Sequence, residues 1–192
     1  MLNHRHFILL KPHGYLSQFI YTSNRRKNRG FLGQLYNFPD GTMAIGRLDQ
    51  DSEGLIFLTT DGKVSHAVRS KKIEKEYYVQ LDGLISPEAL EKLKNGIEIT
   101  VEGQKYMTLP GKVFKLEEIP NLPPRAKPVR DDRHGPTTWV SITITEGKNR
   151  QVRKMTAASG FPTLRLFRVR IGNTKWNNLQ PGGVLEVEKF DI

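Results

Sequence analysis

The residues best suited to chemistry lie in the run Gly46-Arg47-Leu48-Asp49-Gln50-Asp51-Ser52-Glu53-Gly54. Three acids at alternate positions, Asp49, Asp51 and Glu53, could hold a cation, and with Gly54 at the sixth place the spacing is that of a calcium loop. Such a loop needs a bidentate Glu at its twelfth position, where this chain has Thr60, and a helix on either side. Here Leu55-Ile56-Phe57-Leu58-Thr59-Thr60 follows at once and stops at Asp61-Gly62, an apolar run that reads as a buried strand. Calcium is rejected on both counts. What remains is a polar loop pinned to the core by a rigid strand, a favourable place for a functional side chain. Taken alone, Asp49 reads as a turn cap.

A second run, Glu146-Gly147-Lys148-Asn149-Arg150-Gln151-Val152-Arg153-Lys154-Met155, is strongly basic. The spacing predicts a helix over 149–159 with Gly160 as its stop. On that helix Arg150, Arg153 and Lys154 share one face at intervals of three and four, while Val152, Met155 and Ser159 share another. Like charges stacked this way repel by about a few tenths of a kcal/mol each, so phosphate or a buried carboxylate is expected to offset them. A solvated basic face has the same periodicity.

Composition narrows the partners. The 192 residues, 37% hydrophobic and 26% charged, suffice for one substantial core. No apolar run approaches the roughly 20 residues of a membrane helix. Phe7-Ile8-Leu9-Leu10 is too short for a signal-peptide core. With no cysteine, disulfides, thiol catalysis and cysteine-ligated zinc are excluded, and a cytoplasmic protein is expected. The net charge of +10 is clustered: residues 1–30 hold six Lys/Arg and no acid, and residues 125–175 hold twelve against Asp131, Asp132 and Glu146. Two separated basic blocks point to a polyanion, nucleic acid first, since no amphipathic helix suited to a membrane surface accompanies them.

Other elements must position these runs. Strands are predicted at 7–10, 55–60, 74–83, 97–101, 106–109, 112–116, 138–145, 163–171 and 184–187. In the 74–83 strand Tyr77, Val79 and Leu81 alternate onto the core side. Between Leu166 and Phe167 the apolar phase slips, which suggests a bulge. Short helices are predicted at 31–36 and 62–69, and a firm one at 86–95, with Ser86 as N-cap, Pro87 first and Gly96 as C-cap. Residues 22–30 form a basic loop, and 119–136 a basic, proline-rich excursion. The result is an α+β fold, a mostly antiparallel mixed sheet with flanking helices, in a single domain over 1–192.

Four passages in order now carry a resemblance: Lys11-Pro12 after the first strand, Gly46-Arg47-Leu48-Asp49 with Ser52, Gly54 and Leu55, Lys75-Glu76-Tyr77, and Glu146 to Arg153. The chain resembles the A-type family of ribosomal small-subunit pseudouridine synthases, and within it the large-subunit pseudouridine synthase E branch, also through Thr163-Leu164-Arg165-Leu166 after Gly160-Phe161-Pro162. The resemblance implies the pseudouridine synthase fold. Only ten residues precede Lys11, so the small S4-like RNA-binding domain that most members carry is not expected here.

By that resemblance Asp49 is the catalytic carboxylate, Tyr77 stacks on uracil and Arg153 orients Asp49. Val152 walls the pocket, and Arg47 fills the stack vacated by a flipped nucleotide. Lys11, Lys148 and Arg150 complete the substrate-binding set. The implied reaction isomerises a uridine of large-subunit ribosomal RNA to pseudouridine, with no cofactor, metal or membrane and with a monomer expected. Small-subunit ribosomal RNA or tRNA as substrate, and a non-enzymatic RNA-binding assembly factor, are the competing readings.

Overall fold

The computed structural model describes residues 4–20, 29–70, 72–129 and 132–192. The basic loop expected over 22–30 lies almost wholly outside them. In chain order the elements begin with strands β1 (His6–Lys11), β2 (Tyr15–Leu16) and β3 (Gly30–Phe31), then a 3-10 turn at Leu32–Gln34. Next come β4 (Met43–Ile45), β5 (Glu53–Thr59), helix α1 (Gly62–Ser70), β6 (Lys75–Asp82) and helix α2 (Pro87–Asn95). The hairpin β7 (Glu98–Val101) and β8 (Gln104–Met107) precedes β9 (Lys112–Lys115). After a 3-10 turn at Asp132–His134 follow β10 (Thr137–Ile144), helix α3 (Gln151–Ala158), β11 (Thr163–Ile171), β12 (Thr174–Lys175) and β13 (Val184–Val187).

The chain divides into two compact units. The first comprises 1–73, 123–126 and 168–192; the second comprises 74–122 and 127–167. In the first unit the strand order is β13-β1-β5-β11, with β4 also on β5 and β12 on β11. β1 runs antiparallel to β5, placing Phe7 opposite Leu58 and Leu9 opposite Ile56. These four side chains and Leu32 form a core closed by Phe19, Leu35, Phe38, Ala44 and Val184. On the other face Phe57 stacks on Phe190 with ring centroids 4.2 Å apart. Both faces of β5 are therefore covered, and all seven of its residues are buried, as the continuous apolar run demands.

In the second unit the order is β11-β6-β10-β9. Tyr77, Val79 and Leu81 of β6 are buried, as their alternation predicts, opposite Ile142, Val140 and Thr138 of β10. β10 itself is buried on both faces from Thr138 onward, although its sequence alternates. β9 ends this strand order, its Lys112 and Lys115 exposed and Lys112 paired to Glu74 at 2.6 Å. Helix α2 has the expected caps: Ser86 Oγ accepts from the Ala89 N–H at 3.2 Å, Pro87 opens the first turn and Gly96 closes the last, a cap worth about 1 kcal/mol.

Two expectations change. The helix over 31–36 shrinks to the single 3-10 turn, because Pro39 denies Phe38 a helical backbone. The phase slip in β11 appears as four consecutive buried residues, Leu166 to Val169, at the place where the chain passes from the second unit to the first. There Gly54 is indispensable. Its φ is +113°, and a Cβ added to it would lie 2.4 Å from the backbone of Arg168. Left-handed strain and overlap with main chain each cost about 1–3 kcal/mol. Gly54→Ala is therefore expected to lower the unfolding free energy by about 2–5 kcal/mol in urea titrations; a loss below about 1 kcal/mol would contradict this packing.

Candidate active site

In the first unit the Asp49 loop joins β4 to β5 and alternates in exposure: Arg47 exposed, Leu48 buried, Asp49 half-buried. Leu48 is the anchor. Its N–H donates to Ser17 Oγ at 2.9 Å, and the Ser17 hydroxyl donates back to the Leu48 carbonyl at 2.8 Å. One buried hydroxyl thus satisfies both polar backbone groups of the residue before Asp49. The Asp49 carbonyl accepts from the Ser52 N–H at 3.1 Å, and the Gln50 carbonyl accepts from the Gly14 N–H at 2.8 Å. The loop is fixed on both sides of Asp49, which is the preorganisation a reacting carboxylate needs.

Lys11 underlies this arrangement. It is fully buried at the end of β1, opposite Gly54, and donates to the carbonyls of Pro12 at 3.0 Å and Tyr15 at 2.6 Å. Those bonds shape the turn that presents the Gly14 N–H. Burial pushes the Lys11 ammonium down to about 7, with Glu53, Asp51 and Asp49 opposing the shift. Glu53 is itself buried, with the Arg125 Nε 3.6 Å from its Oε2. Arg168, also buried, donates from Nε to the Leu55 carbonyl at 2.7 Å. His13 is held below its ordinary value, first by burial and next by Arg125. The third acid of the would-be calcium loop therefore serves cations of the protein itself.

In the second unit Glu146 organises the basic run. Its carboxylate accepts from Tyr106 Oη at 2.5 Å, from the Leu109 N–H at 2.9 Å and from the Gln151 side-chain amide. The bond from Tyr106 is the main cause of the raised pKa of that phenol. Gln151 Oε1 in turn accepts from the Lys148 N–H at 2.9 Å, and the Lys148 ammonium lies 4.8 Å above the Tyr106 ring, a cation–π contact. Tyr77 and Val152 are buried, Arg153 is half-buried on α3, and Lys148 and Arg150 are exposed.

The matching family model describes RNA pseudouridylate synthases and covers residues 5–158. The chain belongs to that family. Among curated relatives, the ribosomal large subunit pseudouridine synthase E of Vibrio parahaemolyticus is 42% identical over 188 residues, 97% of this chain and 75% of its own. The protein of that name from Xanthomonas axonopodis pv. citri is 44% identical over 176 residues, 91% of this chain and 89% of its own. The ribosomal large subunit pseudouridine synthase B of Bacillus subtilis is 31% identical over 97% of this chain and 69% of its own. A crystal structure of a pseudouridylate synthase matches with a TM-score of 0.74 at 28% identity, covering 96% of this chain and 70% of that one. The pseudouridine synthase fold expected from the sequence is thereby established, as is the likeness to the E type.

Among the expected site residues, Lys11, Arg47 and Asp49 belong to the first unit and Tyr77, Lys148, Arg150, Val152 and Arg153 to the second. One expectation fails: Arg150 is not on the helical face. It is the N-cap of α3, in the left-handed region at φ 51° and ψ 34°, because Gln151 folds back onto Lys148 and Glu146 and so starts the helix one residue later. Holding a non-glycine residue there costs about 1–2 kcal/mol and turns Arg150 away from the row of Arg153 and Lys154. Sequence reasoning passed over Ser17, a lone serine 31 positions from its partner, and the Tyr106–Glu146 bond. Among the described residues no helix is long and apolar enough to cross a membrane.

Two measurements check this geometry. Ser17→Ala leaves the Leu48 N–H and carbonyl without their shared partner and is expected to cost about 1–3 kcal/mol of stability; an unchanged denaturation midpoint would refute the bridge. For Lys11, the ordinary value of 10.5 falls to about 7 on folding, so between those limits the unfolded chain binds more protons and stability rises with pH. Urea titrations from pH 7 to 9.5 are expected to show wild-type protein gaining on Lys11→Met by up to about 1.4 kcal/mol per pH unit. Parallel curves would show that burial does not disfavour the charge.

Proposed function

We propose that this pseudouridine synthase isomerises a uridine of large-subunit ribosomal RNA, with Asp49 as the reacting carboxylate. The observation that carries the reading is the 42–44% identity over nearly the whole chain to synthases named for the large ribosomal subunit. It is supported by a loop that holds Asp49 half-buried on three sets of backbone bonds.

The reaction breaks the N1–C1′ bond, turns the uracil and rejoins it through C5, so atoms and oxidation state balance without a cofactor. Asp49 attacks C1′ or removes the C2′ proton, and the detached uracil is then held until C5 faces the sugar. Stacked RNA hides the target, and flipping it out costs about a few kcal/mol. Arg47, exposed beside Asp49, suits the role of filling the gap. Tyr77 is assigned to stacking on uracil, Val152 to excluding water that would capture the intermediate, and Arg153 to orienting the carboxylate. Lys11 supports the loop from below, and Lys148 and Arg150 are left to phosphates. The enzyme is placed in the cytoplasm, as a monomer, with ribosomal RNA as its partner.

Asp49→Asn keeps the size of the side chain and removes its nucleophilicity. Carbodiimide treatment followed by reverse transcription is expected to show pseudouridine formation on ribosomal RNA reduced by about a thousandfold or more, with RNA affinity and thermal stability retained. Turnover at the wild-type rate would remove Asp49 from the chemistry.

A further inference from the structure

By composition the run 119–136 belongs to the positive surface offered to RNA, yet its Arg125 is committed elsewhere. Pro123 is buried, and the Arg125 side chain keeps only 11% of its exposure, against Glu53 at 6%. A phosphate would have to displace that carboxylate to reach the guanidinium. Glu53 opens β5, and Ser52 just before it donates to the Asp49 carbonyl. Glu53 is also the acid that acts most strongly on Lys11, whose ammonium instead bonds the carbonyls of Pro12 and Tyr15.

We propose that Arg125 is a positioning residue for the Asp49 loop. By engaging Glu53 it leaves the Lys11 ammonium to the carbonyls of Pro12 and Tyr15, which keeps the 12–15 turn seated with its Gly14 N–H on Gln50. Without the guanidinium, Glu53 draws Lys11 to itself and the turn loosens. The inference rests on the pseudouridine synthase reading of Asp49.

The test compares wild-type protein with Arg125→Met, Arg125→Lys and the double variant Arg125→Met/Glu53→Gln. Single-turnover pseudouridine formation is measured at saturating ribosomal RNA, with RNA affinity as a function of salt and amide exchange at Gly14. For Arg125→Met the expected result is a rate at least about tenfold lower and faster Gly14 exchange, with affinity and salt slope unchanged. Arg125→Lys recovers most of the rate. The double variant, with no carboxylate left to recruit Lys11, regains both rate and Gly14 protection, a recovery that a merely structural cavity would not give.

The proposal is overturned by an unchanged rate and unchanged exchange in Arg125→Met, or by a double variant no better than the single one. It is equally overturned by weaker RNA binding with a salt slope reduced by about one, the mark of a lost phosphate contact. If Arg125→Met does not fold, Arg125→Lys and the double variant decide by the same readouts: near-wild-type behaviour in both supports the role, and loss in either ends it. A wild-type protein inactive on ribosomal RNA would sink the functional reading instead, and Gly14 exchange would still judge Arg125.

Discussion

A carboxylate buried at the start of a central strand constrains everything around it. Glu53 has lost its water, and an ionised carboxylate in that position must be matched by charge and hydrogen bonds or it becomes a liability. The cations that meet this need come from distant parts of the chain: Lys11 from the end of β1 and Arg125 from the proline-rich excursion. Lys11 in turn can remain buried only because two carbonyls receive its protons. The resulting network is expensive to assemble and fixes the strand entrance, and with it the loop that bears Asp49.

The two units answer the same problem with different chemistry. In the first, a serine hydroxyl and a lysine ammonium pin backbone atoms next to the functional carboxylate. In the second, Glu146 gathers a phenol, a backbone amide and a glutamine side chain, and the basic loop closes around it. In each case an acid that is not itself assigned to the reaction holds basic or polar groups in place. Only part of the strong positive charge is therefore free for a polyanion. Arg125 and Arg168 are buried and committed within the fold.

Local pattern carried much of this into the sequence. The alternation of Tyr77, Val79 and Leu81 fixed the buried face of β6, and Ser86-Pro87 with Gly96 bounded α2, because period and capping depend on near neighbours. The Asp49 loop was legible as a loop because a long apolar run followed it. Arg150 was misread because helical spacing cannot reveal that Gln151 turns back to Glu146, five residues earlier. Ser17 and Arg125 were invisible as site supports, since their partners lie 31 and 72 positions away and neither belongs to a periodic pattern. The Asp49 motif itself drew its meaning from resemblance; as a lone acid it would have been a turn cap.

The lysines of β9 have a bearing on solubility. This strand closes its unit's order with the sequence Lys-Val-Phe-Lys, and its outer backbone edge is of the kind that invites another chain to add on. A visiting strand would have to bring its own backbone against ammonium groups at both ends of this short segment, one of them already tethered to Glu74. Electrostatic gatekeeping of this sort protects the rim against aggregation, even though Phe114 between the lysines is half exposed.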